Sequence, residues 1–156
     1  MQIRIARSED TDALVEFNQA MALETEFKQL DEAVLRAGVS AVFSDSAKGF
    51  YVVMEDNGTV AAGLMVTTEW SDWRNGWFWW IQSVYVRPEY RGQGLYGQMY
   101  QFVKGMASAA GNICGFRLYV EKENERAMHV YEKMGMHKTY YLIYEEETKT
   151  GAADDQ

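Results

Sequence analysis

The segment Val84 to Tyr100, VYVRPEYRGQGLYGQMY, contains the residues of this chain best suited to hold an anion. A strand-like apolar run leads through a basic, glycine-bearing turn into a helical pattern. Gly92, Gly94 and Gly97 let the backbone approach a ligand closely, and the first N–H groups of the helix that follows have no carbonyl partners within it. The helix dipole adds positive potential at the same point. A pyrophosphate fits there, with Arg91 as a charge-assisted donor. A plain strand-to-helix turn would show the same glycines, so the segment alone leaves both readings open.

The elements that must position this turn alternate along the chain. Gln2 to Ala6 reads as a short strand. Ser8, Asp10 and Thr11 are candidate caps for a helix with Leu14, Phe17 and Met21 on one face. Asp31 caps a second helix, in which Leu35, Val39, Val42 and Phe43 form a buried stripe. FYVVMED and TVAAGLMVTTEW flank Asn57-Gly58, a tight-hairpin signal, and WFWWIQSVYV supplies a further long strand. After the glycine turn, Leu95, Met99, Phe102, Val103, Met106 and Ala110 mark a helix ending near Gly111. Phe116 to Glu123 reads as the next strand. Asn124 then caps a helix that turns Ala127, Val130, Tyr131 and Met134 inward and stops at Gly135, and HKTYYLIYEEE reads as a last strand that closes the sheet. The layout predicts one α/β domain over residues 1–147, a mixed sheet with helices on both faces, followed by a fraying acidic tail over residues 148–156.

Composition narrows the function classes. With 47% hydrophobic residues and 14% aromatics in 156, the chain is too apolar for disorder, and no uncharged run is long enough to span a membrane. A net charge of −8 argues against nucleic acid as a partner and favours a cationic small molecule. The N-terminus lacks a signal-peptide pattern and Cys114, expected to be buried and unreactive, has no partner cysteine; both lead to a cytoplasmic expectation. His129 and His137 have no ligand spacing around them, so no metal is expected. The turn matches neither the GxGxxG dinucleotide pattern nor the triphosphate-binding GK[ST] pattern.

Two motifs together resemble the GNAT superfamily of acetyl-CoA-dependent N-acetyltransferases. RGQGLY at Arg91 to Tyr96 is similar to the family's acetyl-CoA signature, and NERAMHVYEKMGM at Asn124 to Met136 is similar to its later Asn-x-x-Ala-x-x-x-Tyr-x-x-x-Gly-Phe pattern. The resemblance runs from Gln2 to about Glu147. Tyr96 stands where the signature has a small residue, and Met136 where it has Phe. It implies a mostly antiparallel mixed sheet whose splayed strand pair forms the acetyl-CoA cleft. It also implies cofactor contacts from Val84, Tyr85 and Val86, from Arg91, Gly92, Gln93, Gly94, Leu95, Tyr96 and Gly97, and from Asn124 and Tyr131.

The same resemblance implies direct attack of a primary amine on the thioester. The backbone N–H of Val84 would stabilise the oxyanion and Tyr131 would protonate the leaving thiolate. Read without the family pattern, Tyr131 is a packed core tyrosine and Asn124 a helix cap. Where polyamine-acetylating members often carry a glutamate, this chain has Gln82, which can orient an amine or a water but cannot accept a proton. The base is then Glu69, Asp72, Glu121 or a water relay. Thr67 to Trp80 is the expected acceptor entrance, where Glu69 and Asp72 supply charge and Trp70 and Trp73 offer cation–π faces, with Glu121 a further substrate-binding candidate. Those indoles are equally compatible with core packing or with a homodimer surface. A non-catalytic acetyl-CoA sensor or interaction module is the alternative to an enzyme.

Overall fold

The computed structural model describes residues 1–149, which form two compact units, the first Met1–Tyr119 and the second beginning at Val120. Residues 150–156, most of the expected tail, lie outside the described residues.

The first unit is a five-stranded sheet in sequential order: β1 (Gln2–Ile5), β2 (Phe50–Asp56), β3 (Thr59–Ser71), β4 (Gly76–Val86) and β5 (Ile113–Arg117). The first three pairings are antiparallel and β4–β5 is parallel, so the sheet is mixed and mostly antiparallel, as expected. The β2–β3 hairpin turns at Asn57 and Gly58, whose φ angles of 50° and 84° suit the left-handed conformation such a turn demands.

Helices cover both faces. On one side α1 (Thr11–Glu26) and α2 (Glu32–Ser44) bury Leu14, Phe17, Val39 and Val42 against Tyr51, Val53 and Tyr85. On the other, α3 (Leu95–Ala110) buries Met99 and Val103, and it packs against β2, β4 and β5. Asp31 caps α2 by accepting the Val34 N–H at 3.0 Å.

The cap expected for α1 is not made. Asp10 sits at the N-cap position, but its carboxylate accepts from Arg4 at 2.8 and 3.0 Å and from the Arg7 N–H at 2.7 Å. Arg4 also reaches Glu55 on β2 at 2.9 Å, so the buried acid ties the chain start to the sheet. The Arg4 contact is the main cause holding the Asp10 pKa below the usual carboxylate range.

Two strand expectations are corrected. β5 spans Ile113–Arg117, not Phe116 to Glu123, because its pairing with β4 ends at Trp80 with Arg117 and the later residues have no strand to bond to. Cys114 is exposed, not buried; it is the extra residue where the β4–β5 register shifts.

In the second unit α4 (Glu125–Lys133) is capped as expected, with Asn124 accepting the Ala127 N–H at 3.1 Å, and it ends at Gly135 with φ 99°. The expected last strand, HKTYYLIYEEE, is not formed. Tyr140 to Tyr144 carry strand-favouring side chains, but all five are exposed, and among the described residues no strand pairs with them.

Candidate active site

β4 supplies the centre of the site through one irregularity. Opposite it, β3 pairs Gly63 with Tyr85 and Met65 with Gln82, so Leu64 faces two residues, Ser83 and Val84. This is a β-bulge, and Ser83 takes φ 52°, a left-handed conformation uncommon for a non-glycine residue. Gln82 and Tyr85, three apart, consequently face the same α1–α2 side of the sheet: their partners Met65 and Gly63 stand beside Tyr51 and Val53 of that core. The bulge reorients the backbone around Val84, the expected oxyanion donor.

Beyond Trp80, β4 runs on without β5, which ends at Arg117. Val84 and Val86 are half-buried there. The Tyr85 side chain points to the α1 face, where its hydroxyl donates to Glu24 at 2.8 Å, so only its backbone belongs to the cleft side. Burial and the Glu24 carboxylate push the Tyr85 phenol pKa up.

The strand then runs through the Pro88–Tyr90 turn into the glycine elbow. Gly92 and Gly94 adopt φ 78° and 75°, and a Cβ added to either would meet open space. These glycines are there for backbone conformation, and the space before them can take a ligand. Gln93 is exposed between them, and Leu95 is buried, seating the helix start. The first intrahelical bond of α3 runs from Gln98 N–H to the Gly94 carbonyl at 3.2 Å, so the N–H groups before it face the elbow. These features fit a pyrophosphate. The Tyr96 ring lies back along the helix, stacked on Tyr100 at 6.1 Å, and Gly97 is half-buried in the same first turn. Arg91 is turned away from the elbow: Nε donates to the Val86 carbonyl at 2.8 Å and Nη2 meets Glu24 at 2.9 Å.

The expected acceptor residues do not form one cluster. Glu69 shares the α1–α2 face with Met65 and Thr67, whereas Trp70 lies on the opposite face, edge-on to Trp77 at 5.0 Å. Asp72 and Trp73 are exposed in the β3–β4 turn. Glu69 is fixed by its neighbours: its Oε1 accepts from Trp80 Nε1 and Arg117 Nη1, each at 2.9 Å, and the Arg117 guanidinium stacks 3.6 Å from the Phe78 centroid. Gln82 donates to Thr67 Oγ1 at 2.7 Å.

In the second unit, Glu121 accepts the Glu123 N–H at 2.9 Å in the turn before α4. Tyr131 is half-buried, and burial raises its phenol pKa.

A cleft of about 340 Å³ opens between α1, α2 and the sheet, reaching Thr67 and Ser83. Sequence reasoning did not find it. Asn18, Tyr51, Thr67 and Ser83 are spread over four elements, and nothing in their spacing marks Ser83 as a bulge.

Comparisons with known proteins bear on the family and the fold. The model of the Acetyltransferase (GNAT) family matches residues 11–136. The structure of a possible acetyltransferase from Clostridium difficile 630 is 47% identical, with a TM-score of 0.88 over 94% of this chain and 97% of that one. A predicted acetyltransferase with acetyl-CoA from Clostridium acetobutylicum shares the fold at 19% identity, with a TM-score of 0.75 over 93% of this chain and 95% of that one. Spermidine N(1)-acetyltransferase of Escherichia coli (strain K12) is 32% identical over 63 residues, 40% of this chain and 34% of the relative, so the match spans about a third of that protein's length. With the family match running from α1 through α4 and the bulged strand leading into the glycine elbow, the chain belongs to the GNAT acetyltransferase family.

Proposed function

We propose that this protein transfers an acetyl group from acetyl-CoA to a primary amine by direct attack, without a covalent enzyme intermediate. The observation that carries the reading is the course of β4: it leaves β5 at Trp80, bulges at Ser83 and Val84, and leads into the open Gly92–Gly94 elbow. One strand thereby offers a carbonyl-binding backbone and a phosphate-binding turn.

Acetyl-CoA supplies the activated thioester; the chain's residues hold and polarise it. The α3 first turn, with Gly92 and Gly94, takes the pyrophosphate, and the Val84–Val86 backbone takes the pantetheine. The Val84 N–H donates to the carbonyl oxygen as negative charge develops on it. Gln82, oriented by Thr67, holds the amine or its water. Glu69 lies two residues from Thr67 along β3, about 7 Å away at strand spacing, near enough to receive the ammonium proton through one water. On the family pattern, Asn124 and Tyr131 complete the cofactor contacts, and Tyr131 protonates the departing sulfur while the new C–N bond forms.

Thiol release from acetyl-CoA over an amine panel tests the reading. Turnover is expected, with Tyr131→Phe losing about 100-fold or more in kcat while retaining acetyl-CoA affinity. The alternative, a non-catalytic acetyl-CoA-binding module, is favoured by the Gln82 amide being committed to Thr67, and it predicts binding without turnover on any amine. A cytoplasmic homodimer is part of the proposal, supported by the lone cysteine and by the exposed apolar run at Tyr140 to Tyr144.

A further inference from the structure

We infer that the acceptor is a primary amine with a compact apolar body, seated in the cleft between α2 and the sheet, and not a polyamine. The inference rests on the acetyl-transfer reading above and names its substrate class. The cleft, about 340 Å³, is in the size range of small-ligand sites. Leu35, Val39, Val42 and Met65 give it an apolar wall. Besides Lys48, its polar side chains are neutral: Asn18, Tyr51, whose burial keeps the phenol protonated, Thr67, and Ser83 at the β4 bulge. An amine entering body-first against α2 would leave its nitrogen at the Thr67–Gln82 hydrogen bond, beside the backbone that receives the carbonyl.

Charge excludes the polyamine. Among the described residues no carboxylate lines the cleft, and its one charged lining side chain is the Lys48 ammonium, itself paired with Asp45 at 2.8 Å. A second ammonium on the acceptor would be desolvated against aliphatic side chains with no counter-charge. A phenyl or indole ring loses no such solvation there and gains apolar contact.

Gly38 gives a clean test. It lies mid-helix in α2 on the cleft lining, and a Cβ added there meets nothing within 4 Å. A leucine at that position enters the cleft without straining the helix, which gains propensity from the change. The experiment is steady-state thiol release with 2-phenylethylamine, tryptamine, spermidine and putrescine, on the wild type and on Gly38→Leu, with calorimetric acetyl-CoA binding as a control. The expected result is kcat/KM at least about tenfold higher for the aryl amines than for the polyamines. Gly38→Leu should lower the aryl-amine kcat/KM at least about tenfold through KM, with acetyl-CoA affinity unchanged. Preference for spermidine, or an aryl-amine KM untouched by Gly38→Leu, overturns the inference. If no amine turns over, the acetyl-transfer reading has failed and calorimetric binding of 2-phenylethylamine to the acetyl-CoA-loaded protein decides the cleft separately. Binding that Gly38→Leu abolishes supports the assignment, and absence of binding overturns it.

Discussion

Arg117 on β5 reaches across β4 to Glu69 on β3, its Nη1 2.9 Å from the Glu69 carboxylate. The contact joins two strands that are not neighbours and holds the guanidinium over Phe78, a cation–π arrangement worth roughly 0.5–2 kcal/mol. Arg117→Met should lower the amine kcat/KM about tenfold, equivalent to about 1.4 kcal/mol, as Glu69 loses the contact that orients its carboxylate. Acetyl-CoA affinity should be unchanged. A thermal melt run alongside separates this from unfolding, and an unaltered kcat/KM would remove the Arg117–Glu69 contact from the proposed proton path.

Substituting Gly94 tests the elbow. A side chain at φ 75° costs about 1–2 kcal/mol of backbone strain, although no protein atom opposes a Cβ there. Gly94→Ala should weaken acetyl-CoA binding about tenfold or more, since a helix start with a shifted first turn no longer presents its N–H groups together. Calorimetry with acetyl-CoA measures it, and wild-type affinity in this variant would contradict the assigned phosphate site.

The Arg4–Asp10 pair predicts how the fold responds to acid. Because the folded-state pKa of Asp10 is depressed, chiefly by the hydrogen bond from Arg4, its stabilisation is fully present above the unfolded carboxylate value. It is lost as pH falls through the folded value, hence below about pH 4. Asp10→Asn should cost about 1.5–3 kcal/mol at neutral pH, because Arg4 then keeps only Glu55 as a carboxylate partner. The gap in Tm between this variant and the wild type should narrow steadily from pH 5 to about pH 2.

Tyr131 makes an opposite prediction at alkaline pH. Burial raises its phenol above the ordinary value, so it stays protonated through the neutral range. The kcat profile should therefore hold its plateau until beyond about pH 10, and the small residual activity of Tyr131→Phe should lack that alkaline limb. A wild-type limb already falling near pH 8 would assign it to another group.

Association is predicted from the second unit. Leu142 and Ile143 are 82% and 62% exposed, more apolar surface than an isolated chain usually leaves in water. Light scattering should give a dimer mass at micromolar concentration, and Leu142→Lys with Ile143→Lys should give a monomer. A wild-type monomer at that concentration would contradict the proposed homodimer.

Local features of the fold were legible in the sequence wherever neighbouring residues decide them. Asn57-Gly58 marked the hairpin, Asp31 and Asn124 marked their helix caps, and the glycine elbow was visible in RGQGLYG. Reading failed where a distant partner decides. Asp10 has the chemistry of a cap, yet Arg4 and the Arg7 N–H take its carboxylate. Residues 118–123 and 137–147 have strand-like composition, but a strand exists only beside another, and neither segment has one among the described residues. Arg117 and the α2 cleft depend on groups brought together by the sheet, and Glu69 and Trp70, adjacent in sequence, part to opposite faces.

The bulge at Ser83 acts on β4 as an inserted letter acts on a reading frame. Up to Gln82 the even-numbered side chains face α1 and α2; from Tyr85 the odd-numbered ones do. Straightening the bulge with every residue kept would restore unbroken alternation, and it would turn Tyr85 out of the core it shares with Phe17, whose ring lies 5.1 Å away. The aromatic core and the proposed oxyanion backbone thus rest on the same bulge, so a regular strand would undo both.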